Sequence, residues 1–380
     1  MNKLRILSPD ALLPEKFGGY IRTINIAKLL KGIFQEIEVL AVHENYFFDD
    51  YIEGIKIKQS KKFKNSFNKY NYYANALLTK GLVIPDKTFT NKNEFLYQLE
   101  SPYFFHSIKR EKIKNFILNQ HNISWEIERF SFNDLRLDTY NNLFRNRNKK
   151  VEIAALEEAA LILVCSNIDK TKILAEIPDL QSKIITVPNC IDYNEFQNFL
   201  NDYHIPYSER QGSIVTFVGT LNYPPNRDAV NIIISKIAPY FKKDVQFLIV
   251  GKNPPNIRTP CNVRFCGYVD DIKKILYHSD ICIAPLRSGS GTRLKILEYM
   301  AMKKPVISTS KGAEGLDFQD RENIIIEDNL DLFHEQITNL LDDEKLRNKI
   351  GQNGQKLVRE KYDWPIYKEI LEHNYRELSR

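Results

Sequence analysis

Residues 281–317 read ICIAPLRSGSGTRLKILEYMAMKKPVISTSKGAEGLD, and the order of apolar, small and charged residues in this stretch decides the fold. Ile281–Ala284 is a short apolar strand that runs through Pro285 into a Gly/Ser loop. A helix opens near Gly291-Thr292, and a second strand, Val306–Ser308, follows Pro305. Strand, loop and helix in alternation specify a parallel sheet covered on both faces. Small residues let backbone approach a ligand closely, and the amides at a helix start carry partial positive charge suited to a diphosphate. Arg293 and Lys295 add full charges in the first turn, where the helix dipole disfavours cations, so a bound anion accounts for them. Glu298, three residues past Lys295, offers a carboxylate that accepts two vicinal ribose hydroxyls. A second reading stands beside this one: Lys295 and Glu298 are at helical spacing and form an ion pair on an exposed helix.

Working outward, the same grammar fills both halves of the chain. Leu4–Leu7 is a strand, a helical period follows at Ile21, Ile24, Ala27 and Leu29-Leu30, and Ile37–Val42 is a second strand. Past a less readable aromatic stretch come strands at Phe116–Leu118, Leu161–Cys165 and Ile184–Val187. A polar stretch around Asn201–Gln211 is the linker, after which strands restart at Ile214–Val218, Gln246–Val250 and Val263–Cys266. Pro224-Pro225 suits the opening of a helix. The fold class is α/β with two Rossmann-like domains, 1–205 and 206–362, in which ligands bind at the C-terminal strand ends. The final segment, EKYDWPIYKEILEHNYRELSR, is an amphipathic helix after Trp364-Pro365.

Composition narrows the class. The 380 residues are 43% hydrophobic and 27% charged, an ordinary globular balance without repeats or disorder-like tracts. No C-x-x-C pair occurs among the five cysteines and the seven histidines lack ligand spacing, so no metal is expected. A net charge of +6 does not by itself imply nucleic acid. The opening MNKLRILSPD lacks the length and cleavage pattern of a secretory signal, and a cytoplasmic location is expected. Between Gly54 and Pro85, Lys56, Lys58, Lys61, Lys62, Lys64, Lys69 and Lys80 interleave with five aromatics and no acid. That make-up fits peripheral contact with an anionic membrane face through residues 56–80; it equally fits a solvated loop with a few core aromatics.

The stretch around Glu298 resembles the signature of family 4 (group 1) glycosyltransferases, retaining enzymes of the GT-B fold, and the likeness spans nearly the whole chain. It implies two domains facing each other across a cleft, with a terminal helix, about 363–380, crossing back to the first. The family carries two glutamates eight positions apart; the second is Glu298, and Ser290 stands where the first is expected, leaving amides at Gly291 and Thr292 to replace it. The resemblance implies that Glu298 binds the ribose and that Arg293 or Lys295 helps hold the diphosphate. FVGTLNYPPNRDAV is similar to the first donor-domain loop, bringing Gly219 and Thr220 to the diphosphate. VRFCGYVDDIKKILYHSD resembles the base-binding segment, with Tyr268 over the ring and Val269 at the base edge. Cys190 stands where relatives carry glycine.

In the first domain, Gly18-Gly19 lies in the loop that the resemblance brings to the donor, although a lone Gly-Gly is also an ordinary turn. His121, just past a strand end, matches the histidine that faces donor sugar and acceptor, where it would orient a hydroxyl or shuttle a proton. A structural histidine is the alternative. Trp125, Glu128 and Arg129 are expected to shape the acceptor pocket. The implied reaction moves a sugar from a nucleoside diphosphate, UDP- or GDP-linked, to a glycan or lipid-linked acceptor hydroxyl in cell-envelope assembly. Nothing beyond that co-substrate is expected as a cofactor. Competing readings are a nucleotide-sugar epimerase or phosphorylase on the same scaffold, and a non-catalytic nucleotide-sugar-binding protein. A dinucleotide-dependent dehydrogenase is excluded, since neither Ser8–Tyr20 nor Gly219–Arg227 supplies the G-x-G-x-x-G fingerprint.

Overall fold

The computed structural model describes residues 1–9, 18–43, 48–61, 89, 91–123, 125, 148–203, 212–289 and 293–380. They form two compact units, Met1–Asn189 with Tyr367–Arg380, and Cys190–Ile366.

The first unit is built on an eight-stranded sheet. Its strands are β1 (Lys3–Ser8), β2 (Glu36–His43), β3 (Phe48–Ile52), β4 (Ile55–Lys61), β5 (Phe95–Leu99), β6 (Phe116–Gln120), β7 (Leu161–Val164) and β8 (Ile184–Thr186). They lie in the order β3-β4-β2-β1-β5-β6-β7-β8. All neighbours are parallel except β3, which folds back on β4 through Glu53-Gly54. Both turn residues have positive φ, as a two-residue hairpin with the right twist requires. Strands β5, β6 and β7 are buried at every position, and β7, LILV, is the unbroken apolar run that burial on both faces produces. Their core includes Phe104, Phe105, Phe116 and Trp125. Trp125 is therefore a core residue rather than part of a pocket, whereas Glu128 and Arg129 lie outside the described residues.

Charge inside this sheet is neutralised locally. The Arg5 guanidinium donates to Glu38 at 2.7 Å and lies over the Phe95 ring at 3.8 Å. Both members of the pair are almost wholly buried, and removing either would strand the other in low dielectric. Lys58 also reaches Glu38. One lysine of the basic run is thereby engaged in the fold, and residues 62–80 of that run lie outside the described residues.

The second unit holds a six-stranded, all-parallel sheet. Its strands are β9 (Ser213–Val218), β10 (Val245–Val250), β11 (Val263–Gly267), β12 (Ile281–Ala284), β13 (Val306–Ser308) and β14 (Ile325–Ile326). The order is β11-β10-β9-β12-β13-β14. Pro224 opens the helix Pro224–Ile232, where its missing amide is no loss. The helix Leu294–Ala301 buries Ile296, Leu297, Tyr299, Met300 and Ala301, leaving Lys295 and Glu298 on the less buried side. It starts three residues later than the Gly291-Thr292 opening expected, because Arg293 at the N-cap has non-helical dihedrals, φ −85 and ψ 89.

The division between units falls after Asn189, not at 205. Helix Tyr193–Asp202 has a strongly apolar face, and Tyr193 and Phe196 pack with Leu276, Ile296 and Tyr362 in the second unit. Most of the expected linker, 204–211, lies outside the described residues. Near its other end the second unit keeps Asp363, which accepts the Tyr193 amide at 3.1 Å. The chain rejoins the first unit at Tyr367, and helix Lys368–Ser379 buries Leu371 and Tyr375 there. No helix among the described residues is long and apolar enough to cross a membrane.

Candidate functional site

In both sheets the strand order reverses once, between β1 and β5 in the first unit and between β9 and β12 in the second. Such a reversal sends the flanking loops apart and opens a crevice at the C-terminal strand ends, where ligands of this architecture bind.

In the second unit, β9 ends at Gly219. Its amide donates to Val250 O at 2.9 Å, and the preceding Val218 amide donates to the Tyr299 hydroxyl at 2.8 Å, tying the strand end to the helix Leu294–Ala301. Lys295 Nζ extends from that helix to Asn226 Oδ1 at 2.7 Å and sits 4.4 Å from the centre of the Phe217 ring. Asn226 in turn donates to Thr220 O at 3.0 Å. A Cβ on Gly219 would stand 2.7 Å from the Asn226 amide and 2.9 Å from Lys295 Nζ, so a larger residue would move these side-chain ends from where they meet. Thr220 itself is exposed.

Arg293 stands at the helix N-cap, where an obligate donor can accept nothing from the first amides. Its side chain is 9% exposed and curls over Gly289, donating to Ser288 O at 3.4 Å. Burial and the nearby Arg293 charge push the Lys295 ammonium down to about 7. Burial pushes the half-buried Glu298 carboxyl up to about 7, with Lys295 opposing. Among the described residues nothing hydrogen-bonds the Glu298 carboxylate. The ion-pair reading of Lys295 and Glu298 is not realised either, since Lys295 turns to Asn226. Ser290, Gly291 and Thr292 lie outside the described residues.

Further along the same sheet edge, Tyr268 follows β11 with 62% of its surface exposed, and Lys252 Nζ stands 4.7 Å from its ring centre. Val269 beside it is half-buried. Arg287, after β12, is held by both oxygens of Asp228 at 2.9 and 2.5 Å. Gly219, Lys295 and Asn226 are in direct contact, and Tyr268 lies two strands away. Among the described residues no group of three or more His, Cys, Asp and Glu side chains is placed to hold a metal ion.

In the first unit the helix Gly18–Leu29 begins at the expected glycines, with Gly18 exposed and Gly19 half-buried. His121 lies just past β6, and its Nε2 is 2.6 Å from Glu100 Oε2. Sequence reasoning missed Glu100 and the residues that surround it, namely Thr23, Gln98, Asn119 and the fully buried Arg22. A signal was available: Gln98 and Glu100 interrupt FLYQLE at alternate positions of an otherwise apolar strand.

The fold so described is that of the GT-B glycosyltransferases, α/β with two parallel-sheet units. Sucrose-phosphate synthase from Thermosynechococcus elongatus superposes with a TM-score of 0.71 at 15% identity, covering 99% of each chain. The Anabaena protein HepE in complex with UDP and glucose gives 0.62 at 14% identity over 98% of each chain. Within the second unit, residues 212–343 match the family described as Glycosyl transferases group 1. In sequence, the chain is 22% identical to an uncharacterized 44.6 kDa protein in the cps region of Klebsiella pneumoniae, across 98% of this chain and all of the other.

Proposed function

We propose that the protein transfers a sugar from a nucleoside-diphosphate sugar to an acceptor hydroxyl with retention of anomeric configuration, in assembly of a cell-envelope polysaccharide or glycolipid. The observation that carries this reading is Lys295, a cation held at the β9 end beside Gly219 and pushed down to about 7, with no anionic group in ion-pair contact with it among the described residues. A diphosphate settling there would restore its full charge, and Arg293 and the helix N-terminus add to the same field. Glu298, also on that helix, takes the ribose hydroxyls; Gly219, Thr220, Tyr268, Val269, Ser290, Gly291 and Thr292 are the other donor-binding residues proposed in the second unit, and Gly18 and Gly19 those proposed in the first. HepE, solved with UDP and glucose, supports a UDP-linked donor, and the relative from a cps region supports a polysaccharide role.

In the transfer the acceptor oxygen bonds to the anomeric carbon as the bond from that carbon to the diphosphate oxygen breaks. The acceptor proton passes to the departing diphosphate, whose developing charge Lys295 and Arg293 stabilise without a metal ion. His121 orients the acceptor hydroxyl. The protein is read as cytoplasmic, with residues 56–80 as its contact with an anionic membrane face; Lys58 is left out of that contact by its bond to Glu38.

The test is a thermal-shift panel of UDP, GDP, ADP, TDP and their sugars, since a ligand of the native state raises the melting point, followed by transfer assays with E298A. A nucleotide sugar that stabilises the chain, with turnover sharply lowered in E298A, is the expected result. Wild-type donor kinetics in E298A would refute the ribose role. Turnover of donor without any acceptor would favour an epimerase.

A further inference from the structure

We propose that Glu100 is a positioning residue for His121, holding the ring in the tautomer with hydrogen on Nε2 so that Nδ1 is the acceptor for a substrate hydroxyl. The inference rests on the proposed transfer reaction and adds a residue to it.

Glu100 follows β5 at the point where the strand order of the first sheet reverses, and its amide donates to Leu7 O at 2.9 Å. The residue is 5% exposed, yet its two carboxylate oxygens face four donors. Oε2 accepts from the Thr23 hydroxyl at 2.9 Å and the Asn119 amide at 2.9 Å, and lies 2.6 Å from His121 Nε2. Oε1 accepts from the Gln98 amide at 2.5 Å.

The directions of these bonds are fixed from behind. Arg22 can only donate; its Nε gives a hydrogen bond to Asn119 Oδ1 at 2.9 Å, so the NH2 of that amide has to face Glu100. Tyr375, from helix Lys368–Ser379, donates to Gln98 Oε1, which turns the Gln98 NH2 toward Glu100 in the same way. A carboxyl group surrounded by oriented donors is an acceptor at every position and stays ionised. Burial alone would push it up, but the bonds from His121, Gln98 and Thr23 hold Glu100 below the usual carboxylate range.

An ionised carboxylate leaves one role for His121 Nε2, that of donor. In the neutral ring the lone pair then belongs to Nδ1. With the His121 side chain 22% exposed while Glu100 is 1% exposed, the ring has one edge in the network and keeps some surface in contact with solvent. A histidine held by a buried carboxylate has a fixed tautomer and a fixed ring plane.

The test uses the full chain labelled with 15N-histidine, its seven histidines sorted by comparison with H121N. Long-range 1H–15N spectra of the wild-type protein are expected to show the Nε2–H tautomer at His121. E100Q, which keeps the shape and removes the charge, is expected to mix the tautomers and to lower kcat for transfer about tenfold or more. The KM for the nucleotide sugar should stay within about twofold, and E100D should restore the Nε2–H form. An Nδ1–H ring in the wild-type protein overturns the proposal, even where E100Q fails to fold. So does an E100Q protein with unchanged tautomer and kcat. The spectrum needs no turnover, so an inactive protein with the Nε2–H ring would fault the transfer reaction alone.

Discussion

Replacing Glu298 by glutamine separates the cost of a binding residue from its use. Burial raises this carboxyl from an ordinary 4.5 to about 7. Each pH unit of displacement is worth about 1.4 kcal/mol, so the full difference is about 3 kcal/mol. The sign follows from linkage: a folded value above the unfolded one means stability that is present below 4.5 and lost as pH rises through about 7. At pH 8 the wild-type protein therefore carries a penalty that E298Q lacks. The attraction of Lys295 is already contained in that value, and the partial exposure of the carboxyl discounts the gain to on the order of 1–3 kcal/mol. At pH 4 the two proteins should differ by only a few tenths of a kcal/mol or so. The assay is urea unfolding in a W125F background, so that the fluorescence of Trp364 reports the second unit. Nucleotide affinity should move the opposite way and weaken. An E298Q protein that is no more stable than wild type at pH 8 would refute the reasoning, because it would mean the carboxylate is already satisfied within the protein.

Four further outcomes are expected. Lys295 carries its charge below about 7 and loses it above, so affinity for a nucleoside diphosphate should fall by up to about tenfold per pH unit from pH 7 to 9; in K295M calorimetry should find that dependence gone and binding about 10- to 100-fold weaker. Gly219→Ala meets the ends of the Asn226 and Lys295 side chains, which can swing aside, so thermal shift should show weakened nucleotide binding with stability changed by about 1 kcal/mol or less. Gly251→Ala instead places a Cβ 1.7 Å from Gly219 O at a φ of +150 and should cost several kcal/mol, roughly enough to abolish soluble expression. Among the cysteines, exposed Cys261 should alkylate first in the folded protein, while burial pushes the Cys165 thiol up to about 11 and Cys282 higher still; peptide mass spectrometry orders them.

Strands buried on both faces announce themselves as apolar runs, and β1, β6, β7, β9, β10 and β12 were legible for that reason. The β3–β4 hairpin was not, because Asp49 and Asp50 stand in its first strand and Lys56 and Lys58 read as part of a basic run, although Ile55 and Ile57 between them are buried. Strand β5 hid behind Tyr97 and Gln98, polar groups that the core satisfies internally. In the second unit Gly219, Lys295 and Glu298 stood out in the sequence because phosphate and ribose chemistry limits the residue types expected, and the structure brings Lys295 to Gly219. Glu100 did not stand out. It meets Thr23 from 77 residues away, and Arg22 and Asn119 are 97 apart, so only the strand order brings them together. Trp125 misled in the opposite sense, since an indole near a polar motif is as often core as pocket wall.

The membership of helix Lys368–Ser379 in the first unit bears on biosynthesis. A nascent chain emerging from the ribosome can close the second unit once Ile366 is out, but the first must wait for Tyr375 to cover Gln98 and Phe34. At ordinary elongation rates that leaves residues 1–189 without their last packing element for roughly 10–40 s. The half translated first is thus the half that waits for the last helix, and a chain truncated before Tyr375 would carry a complete second unit attached to an open first one.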